Sequence, residues 1–214
     1  MERYRDRYDA GRLLGSHLRG YAGLDGAAVF ALPRGGVPVG FEVARCLHAP
    51  LDVLVVRKLG VPGHEELAMG AIAGANTLVL NREVIDRLAI PQPAIEAEVQ
   101  HEQQELARRE AAYRDGRKPL SAADRVAILV DDGLATGATM RAAVSALQQQ
   151  GPARLVVAVP VAAADTCARF RRDGMEVVCP LVPDSFYAVG MWYDDFAQTT
   201  DEEIRDLLST ATLV

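Results

Sequence analysis

The stretch VAILVDDGLATGAT, Val126 to Thr139, decides the reading of the chain. An unbroken apolar run predicts a buried strand, VAILVDD over 126–132, and a helix is expected from about 138 to 150. The strand carries two adjacent carboxylates, Asp131 and Asp132, to its carboxyl end. A tight turn of Gly and Thr follows. The first N–H groups of a helix have no intrahelical partner and carry partial positive charge. With the hydroxyls of Thr136 and Thr139 they make a cradle for a phosphate monoester. Asp131 and Asp132 stand one step away, where they can accept hydrogen bonds from sugar hydroxyls. The P-loop pattern fails because no lysine follows Gly137, and GxGxxG fails because Gly133 and Gly137 are four apart. Helix capping alone needs one Asp, and a second carboxylate beside it repels the first unless a cation is bound.

Outward from this stretch, apolar strands alternate with amphipathic helices. Strands are expected at AAVFAL (27–32), LDVLVVR (51–57), LVVAVPV (155–161) and EVVCPL (176–181), with shorter runs AMGAIA and TLVL within 68–81. Helices are expected at 9–20, 37–48 and 163–173. A last helix is opened by Thr200 with Glu203 three residues on, a capping-box pattern. This alternation predicts an α/β fold with a mainly parallel, doubly wound sheet, whose ligands bind at the carboxyl ends of its strands. From Pro91 to Gly116 the rhythm breaks into a long charged helix with Ile95, Val99, Leu106 and Tyr113 on one face. It is expected to pack on the domain or on a partner copy, with a lid over the site as the sharper alternative.

Composition bounds the partners. The 214 residues carry 23 Lys+Arg against 29 Asp+Glu, a net charge of −6, which argues against nucleic acid and against anionic membranes. Three cysteines, Cys46, Cys167 and Cys179, lie far apart and suggest neither a disulfide framework nor a zinc site. No apolar leader opens the sequence, and the longest apolar run, 155–164, is too short for a bilayer, so a cytoplasmic location is expected. Only two residues are lysines, Lys58 and Lys118. Two further groups suit an anion: the turn Pro33-Arg34-Gly35-Gly36, whose glycines permit backbone conformations closed to other residues, and the pair Arg57-Lys58 beside a Gly/Pro loop.

The 128–139 stretch resembles the phosphoribosyl-pyrophosphate (PRPP) motif of type I phosphoribosyltransferases. That resemblance implies a single domain over 1–214, with a core of about 25–180. A helical insertion of about 83–116 has no family counterpart, and a segment of about 181–214 contributes a base-binding part and a small hood formed with the other terminus. It implies that Asp131 and Asp132 bind the ribose hydroxyls and that 135–139 hold the 5′-phosphate. Arg34, Gly35, Gly36 and Lys58 take the pyrophosphate, in a turn where the family often has a cis peptide. Arg34, Arg57, Lys58, Asp131 and Asp132 are the implied catalytic set. Residues 59–68 match a mobile loop that covers the site in some members, from which His64, Glu65 and Glu66 would reach the substrate.

The segment from Pro183 to Phe196, PDSFYAVGMWYDDF, is similar to the base-binding part of hypoxanthine–guanine phosphoribosyltransferases, with one extra residue before the glycine. By that similarity Phe186 stacks on the base, and Asp194 or Asp195 sits by a magnesium ion that Asp131 and Asp132 hold indirectly. The implied reaction transfers ribose 5-phosphate from PRPP to a nitrogenous base with release of pyrophosphate, in nucleobase salvage and in a homodimer. Two departures concern the base. Purine members have an acid where Ala135 stands, and a lysine on the strand matching 155–161, which has none here. Alternatives are a non-catalytic PRPP sensor or regulator and a hydrolase acting on a ribose phosphate.

Overall fold

The structure, a computed structural model, describes residues 3–24, 26–74 and 77–211, and of Glu65 and Glu66 only the backbone. The expected roles of those two side chains therefore lie outside the described residues.

Five parallel strands form the central sheet: β1 (Ala27–Ala31), β2 (Leu51–Val53), β6 (Val126–Val130), β7 (Arg154–Ala158) and β8 (Glu176–Val178), in the order β2-β1-β6-β7-β8. Winding reverses between β1 and β6, so their carboxyl ends flank the crevice where such sheets bind ligands. Both faces are covered. Val29, Ala31, Ile128 and Val130 pack with residues of α1 (Arg7–His17) and α2 (Gly36–Leu47). Ala28, Phe30, Ala127 and Leu129 pack with Met140 and Leu147 of α5 (Ala138–Gln149) and Phe170 of α6 (Ala164–Arg172). Burial on both faces is why these strands read as continuous apolar runs rather than alternating ones.

The expected strand 51–57 is two elements. Its ladder with β1 ends where Leu54 N–H donates to the Ala31 carbonyl at 2.9 Å. The chain then enters a separate antiparallel sheet of β3 (Val56–Val61), β4 (His64–Ala73) and β5 (Thr77–Leu80). Residues 59–68, expected as a loop, are a β3–β4 hairpin turning at Pro62-Gly63, where Gly63 has φ of +77°. The Gly and Pro residues mark a two-residue turn rather than a long loop.

The insertion folds as α3 (Arg82–Arg87) and α4 (Gln92–Arg114). Ile95, Leu106 and Tyr113 are buried, and α4 lies against β3 and against α7 (Asp201–Ala211). The helix therefore packs on the domain. The capping box of α7 is half formed: Thr200 Oγ1 accepts the Glu203 N–H at 3.1 Å, while the Glu203 carboxylate accepts the Tyr8 hydroxyl at 2.8 Å.

The two terminal segments join each other. Tyr4 bridges to Tyr193, and the N–H groups of Asp194 and Asp195 donate to the carbonyls of Tyr4 and Arg5 at 2.8 and 2.9 Å. The Tyr4 hydroxyl donates to the Pro160 carbonyl at 2.8 Å, fixing this hood beyond the carboxyl end of β7. Among the described residues, no helix is long and apolar enough to cross a membrane.

Candidate active site

The carboxyl end of β1 runs into the turn Leu32-Pro33-Arg34-Gly35-Gly36, which carries a cis peptide between Pro33 and Arg34. The turn lies directly on the acid pair from β6. A β-carbon on Gly35 would stand 2.0 Å from Asp132 Oδ2, and one on Gly36 would stand 2.9 Å from the Val130 carbonyl and 3.2 Å from Asp131 Oδ1. Gly35 has φ of −62° and ψ of −29°, a conformation open to any residue. Glycine is required there by close approach, and not by the backbone freedom expected from sequence.

Asp131 and Asp132 are largely enclosed. Asp131 Oδ1 accepts the Asp132 N–H at 2.9 Å. Burial, and then the charge of Asp132, pushes the Asp131 carboxyl well above its ordinary range. Burial also raises Asp132, against the opposing pull of Arg7. Arg7 Nε donates to Asp132 Oδ2 at 2.9 Å, and the Tyr193 hydroxyl donates to the Asp132 carbonyl at 2.6 Å. Both are additions to the expected site. They come from opposite ends of the chain, so no local motif announces them.

The cradle opens on the same edge. Gly137 is the N-cap of α5 with φ of +76°, a left-handed conformation that favours glycine, and a β-carbon there would meet Phe170 at 2.8 Å. No side chain caps the helix, and Ala135, Thr136, Ala138 and Thr139 are exposed. The loop is tethered behind the cradle: Thr166 Oγ1 donates to the Ala135 carbonyl at 2.6 Å, and Leu134 N–H donates to the Val161 carbonyl at 2.9 Å. Arg141, one turn into α5, reaches back to the Thr136 carbonyl at 3.4 Å and lies over the Phe170 ring. It is a further cation at the cradle, beyond those expected from sequence.

The expected cations differ in availability. Arg57 pairs with Glu102 of α4, whose side chain is 9% exposed. Lys58 follows it on β3 and so faces the other side, which it shares with Val56 and the cluster holding Met140. It is exposed and forms no ion pair among the described residues. Arg34 Nε pairs with Asp201 of α7 at 3.1 Å, with both side chains nearly half exposed.

Phe186 packs against the cluster of Tyr4, Val161, Trp192 and Tyr193. Phe196, by contrast, stacks under Arg7, whose guanidinium carbon is 3.9 Å from the ring centroid. Asp194 and Asp195 are exposed and use their N–H groups in the terminal pairing. They do not join Asp131 and Asp132: among the described residues no three His, Cys, Asp or Glu side chains gather in a group that could hold a metal. A groove of about 610 Å³, lined by Arg3, Tyr4, Asp9, Arg12, Leu13 and Leu181 among others, includes none of the acid pair, glycine turn or cradle.

Fold and site together define an α/β protein with a carboxylate pair beside an uncapped helix N-terminus at the switch point of its sheet. The chain belongs to the phosphoribosyl transferase domain family, whose model matches residues 7–190. A protein of Mycobacterium tuberculosis (strain H37Rv), provisionally named a phosphoribosyl transferase, is 46% identical over 211 residues; the match takes in 99% of this chain and 47% of that protein. The chain thus spans about half the length of the curated relatives it matches. The crystal structure of TT1426 from Thermus thermophilus is 43% identical with a TM-score of 0.86, over 96% of this chain and 97% of that one. AQ2163 from Aquifex aeolicus shares the fold at 11% identity and a TM-score of 0.51, over 94% and 84% of the two chains.

Proposed function

We propose that this chain is a phosphoribosyltransferase that moves the ribose 5-phosphate of PRPP to a nitrogenous base and releases pyrophosphate, in nucleobase salvage. The observation that carries the reading is the contact of the Gly35-Gly36 turn with Asp131 and Asp132, beside an uncapped helix N-terminus. The same edge carries, in this reading, a pyrophosphate turn, two sugar acceptors and a monoester cradle.

In this reading the α5 amides with Thr136 and Thr139 hold the 5′-phosphate, and Asp131 and Asp132 accept the ribose hydroxyls. Lys58, Arg34 and the N–H groups of 35–36 meet the leaving pyrophosphate as its charge grows. Arg34 exchanges its exposed Asp201 partner for the anion. Arg57 serves chiefly to fasten β3 to α4. Phe186 orients the base. Two adjacent carboxylates, with no third gathered to them among the described residues, suit a magnesium ion that takes most of its ligands from substrate and water. That ion, when bound, supplies charge neutralisation at the pyrophosphate.

A second reading, a PRPP sensor without turnover, is favoured by the ion pairs that Arg57 makes with Glu102 and Arg34 with Asp201 and by the missing base-reading groups. Incubation with PRPP, Mg²⁺ and a panel of bases separates the two. Pyrophosphate released with one class of base supports the transferase and names the acceptor. Saturable PRPP binding without release supports the sensor, and loss of PRPP to water alone supports a hydrolase.

A further inference from the structure

We propose that Arg7 is the positioning residue of the carboxylate pair: its guanidinium holds Asp132 from the amino-terminal helix and fastens the carboxyl-terminal segment beside it. The role in catalysis rests on the reading of Asp131 and Asp132 as the ribose contacts.

Arg7 opens α1 and its side chain is 11% exposed, against 15% for Asp132. Its three contacts use three features of one planar group. Nε donates to Asp132 Oδ2 at 2.9 Å, Nη1 donates to the Ala197 carbonyl at 2.7 Å, and the flat face stacks on Phe196 at 3.9 Å. A lysine ammonium supplies the charge but neither the fork nor the face. Asp132 is gripped again at its main chain, where the Tyr193 hydroxyl donates to its carbonyl at 2.6 Å. Tyr193 packs in turn, with tilted rings, against Phe196, with ring centroids 5.1 Å apart, and against Tyr4, at 5.5 Å.

The amides of Asp194 and Asp195 close the ring onto the carbonyls of Tyr4 and Arg5. Both ends of the chain therefore meet at one acid of the site. Arg7 engages Oδ2 of Asp132 and leaves Oδ1 outside the ion pair. Asp131 pairs with no cation among the described residues, and its Oδ1 accepts the Asp132 N–H instead.

Amide hydrogen exchange on the full, ligand-free chain reads the clamp without substrate. Arg7→Gln and Asp132→Asn should each lower protection of the Asp194 and Asp195 amides by about fivefold or more, and the double variant should lose no more than the larger single one. Unchanged protection in either single variant, or additive loss in the double, overturns the proposal. Calorimetric titration with PRPP and Mg²⁺ gives the second readout. Arg7→Lys, which keeps the charge, should weaken PRPP by about tenfold or more, a charged hydrogen bond's worth, while an affinity equal to wild type overturns the positioning role. A wild-type chain that binds no PRPP yet shows the coupled exchange supports the clamp and overturns only the ribose-phosphate reading.

Discussion

Asp131 sits beside a second carboxylate in a largely enclosed position, and its ionised form is disfavoured there. A carboxyl with a folded pKa above its unfolded value of 3.8 binds its proton more tightly when folded. Its contribution to stability is full below that value and is lost as pH rises through the folded pKa. The ligand-free Asp131→Asn protein should therefore melt higher than wild type at neutral pH. The gain should be about 2–4 °C for each kcal/mol relieved, and it should shrink toward zero as pH falls below the ordinary carboxyl range. Asn keeps an oxygen for the Asp132 N–H. Thermal scans across pH check this, and a variant that melts lower at neutral pH contradicts it. Gly35→Ala belongs to the same scale. A methyl placed 2.0 Å from Asp132 Oδ2 has to move the acid or the turn. A cost of about 1–3 kcal/mol in stability is expected, with loss of PRPP binding by titration.

The helical insertion and the β3 strand carry the next set of expectations. Glu102 binds Arg57, and Glu98 accepts the Gly60 N–H at 3.2 Å, so α4 holds β3 at two points. Neighbours in sequence, Arg57 and Lys58 face opposite ways and should separate experimentally. Arg57→Ala leaves a buried carboxylate without its partner, and about 3 kcal/mol of stability should be lost by denaturant unfolding. Lys58→Ala should leave stability almost unchanged and weaken pyrophosphate-side affinity by about 1.5–3 kcal/mol. Equal behaviour of the two variants would contradict the division of labour. At α7, Thr200→Ala removes the one formed half of the capping box and should cost about 1 kcal/mol.

At the scale of the whole molecule, the parallel sheet was legible because buried strands leave continuous apolar runs such as Ala27–Ala31 and Val126–Val130. The acid pair and cradle were legible because they are contiguous. What escaped was long-range or dependent on the third dimension. Arg7 meets Asp132 across 125 residues, and Tyr193 meets it across 61. A run from Leu51 to Val56 that is apolar but for Asp52 cannot reveal that the chain changes sheets partway along it, since Leu54 and Val55 remain buried. The dipeptide Arg57-Lys58 looked like a double cation until strand alternation and Glu102 separated its members. The net charge of −6 does not bear against the proposed polyanionic ligand, because in that reading the cations that meet it, Lys58 and Arg34, act locally.

The central claim is that Asp131 and Asp132, with the adjoining cradle, bind PRPP. Equilibrium titration with PRPP in Mg²⁺ tests it most directly, comparing wild type with Asp131→Asn/Asp132→Asn, each verified as folded by circular dichroism. One saturable site in wild type and none in the double variant is the predicted result. Equal binding by both, or no binding by wild type, would contradict it.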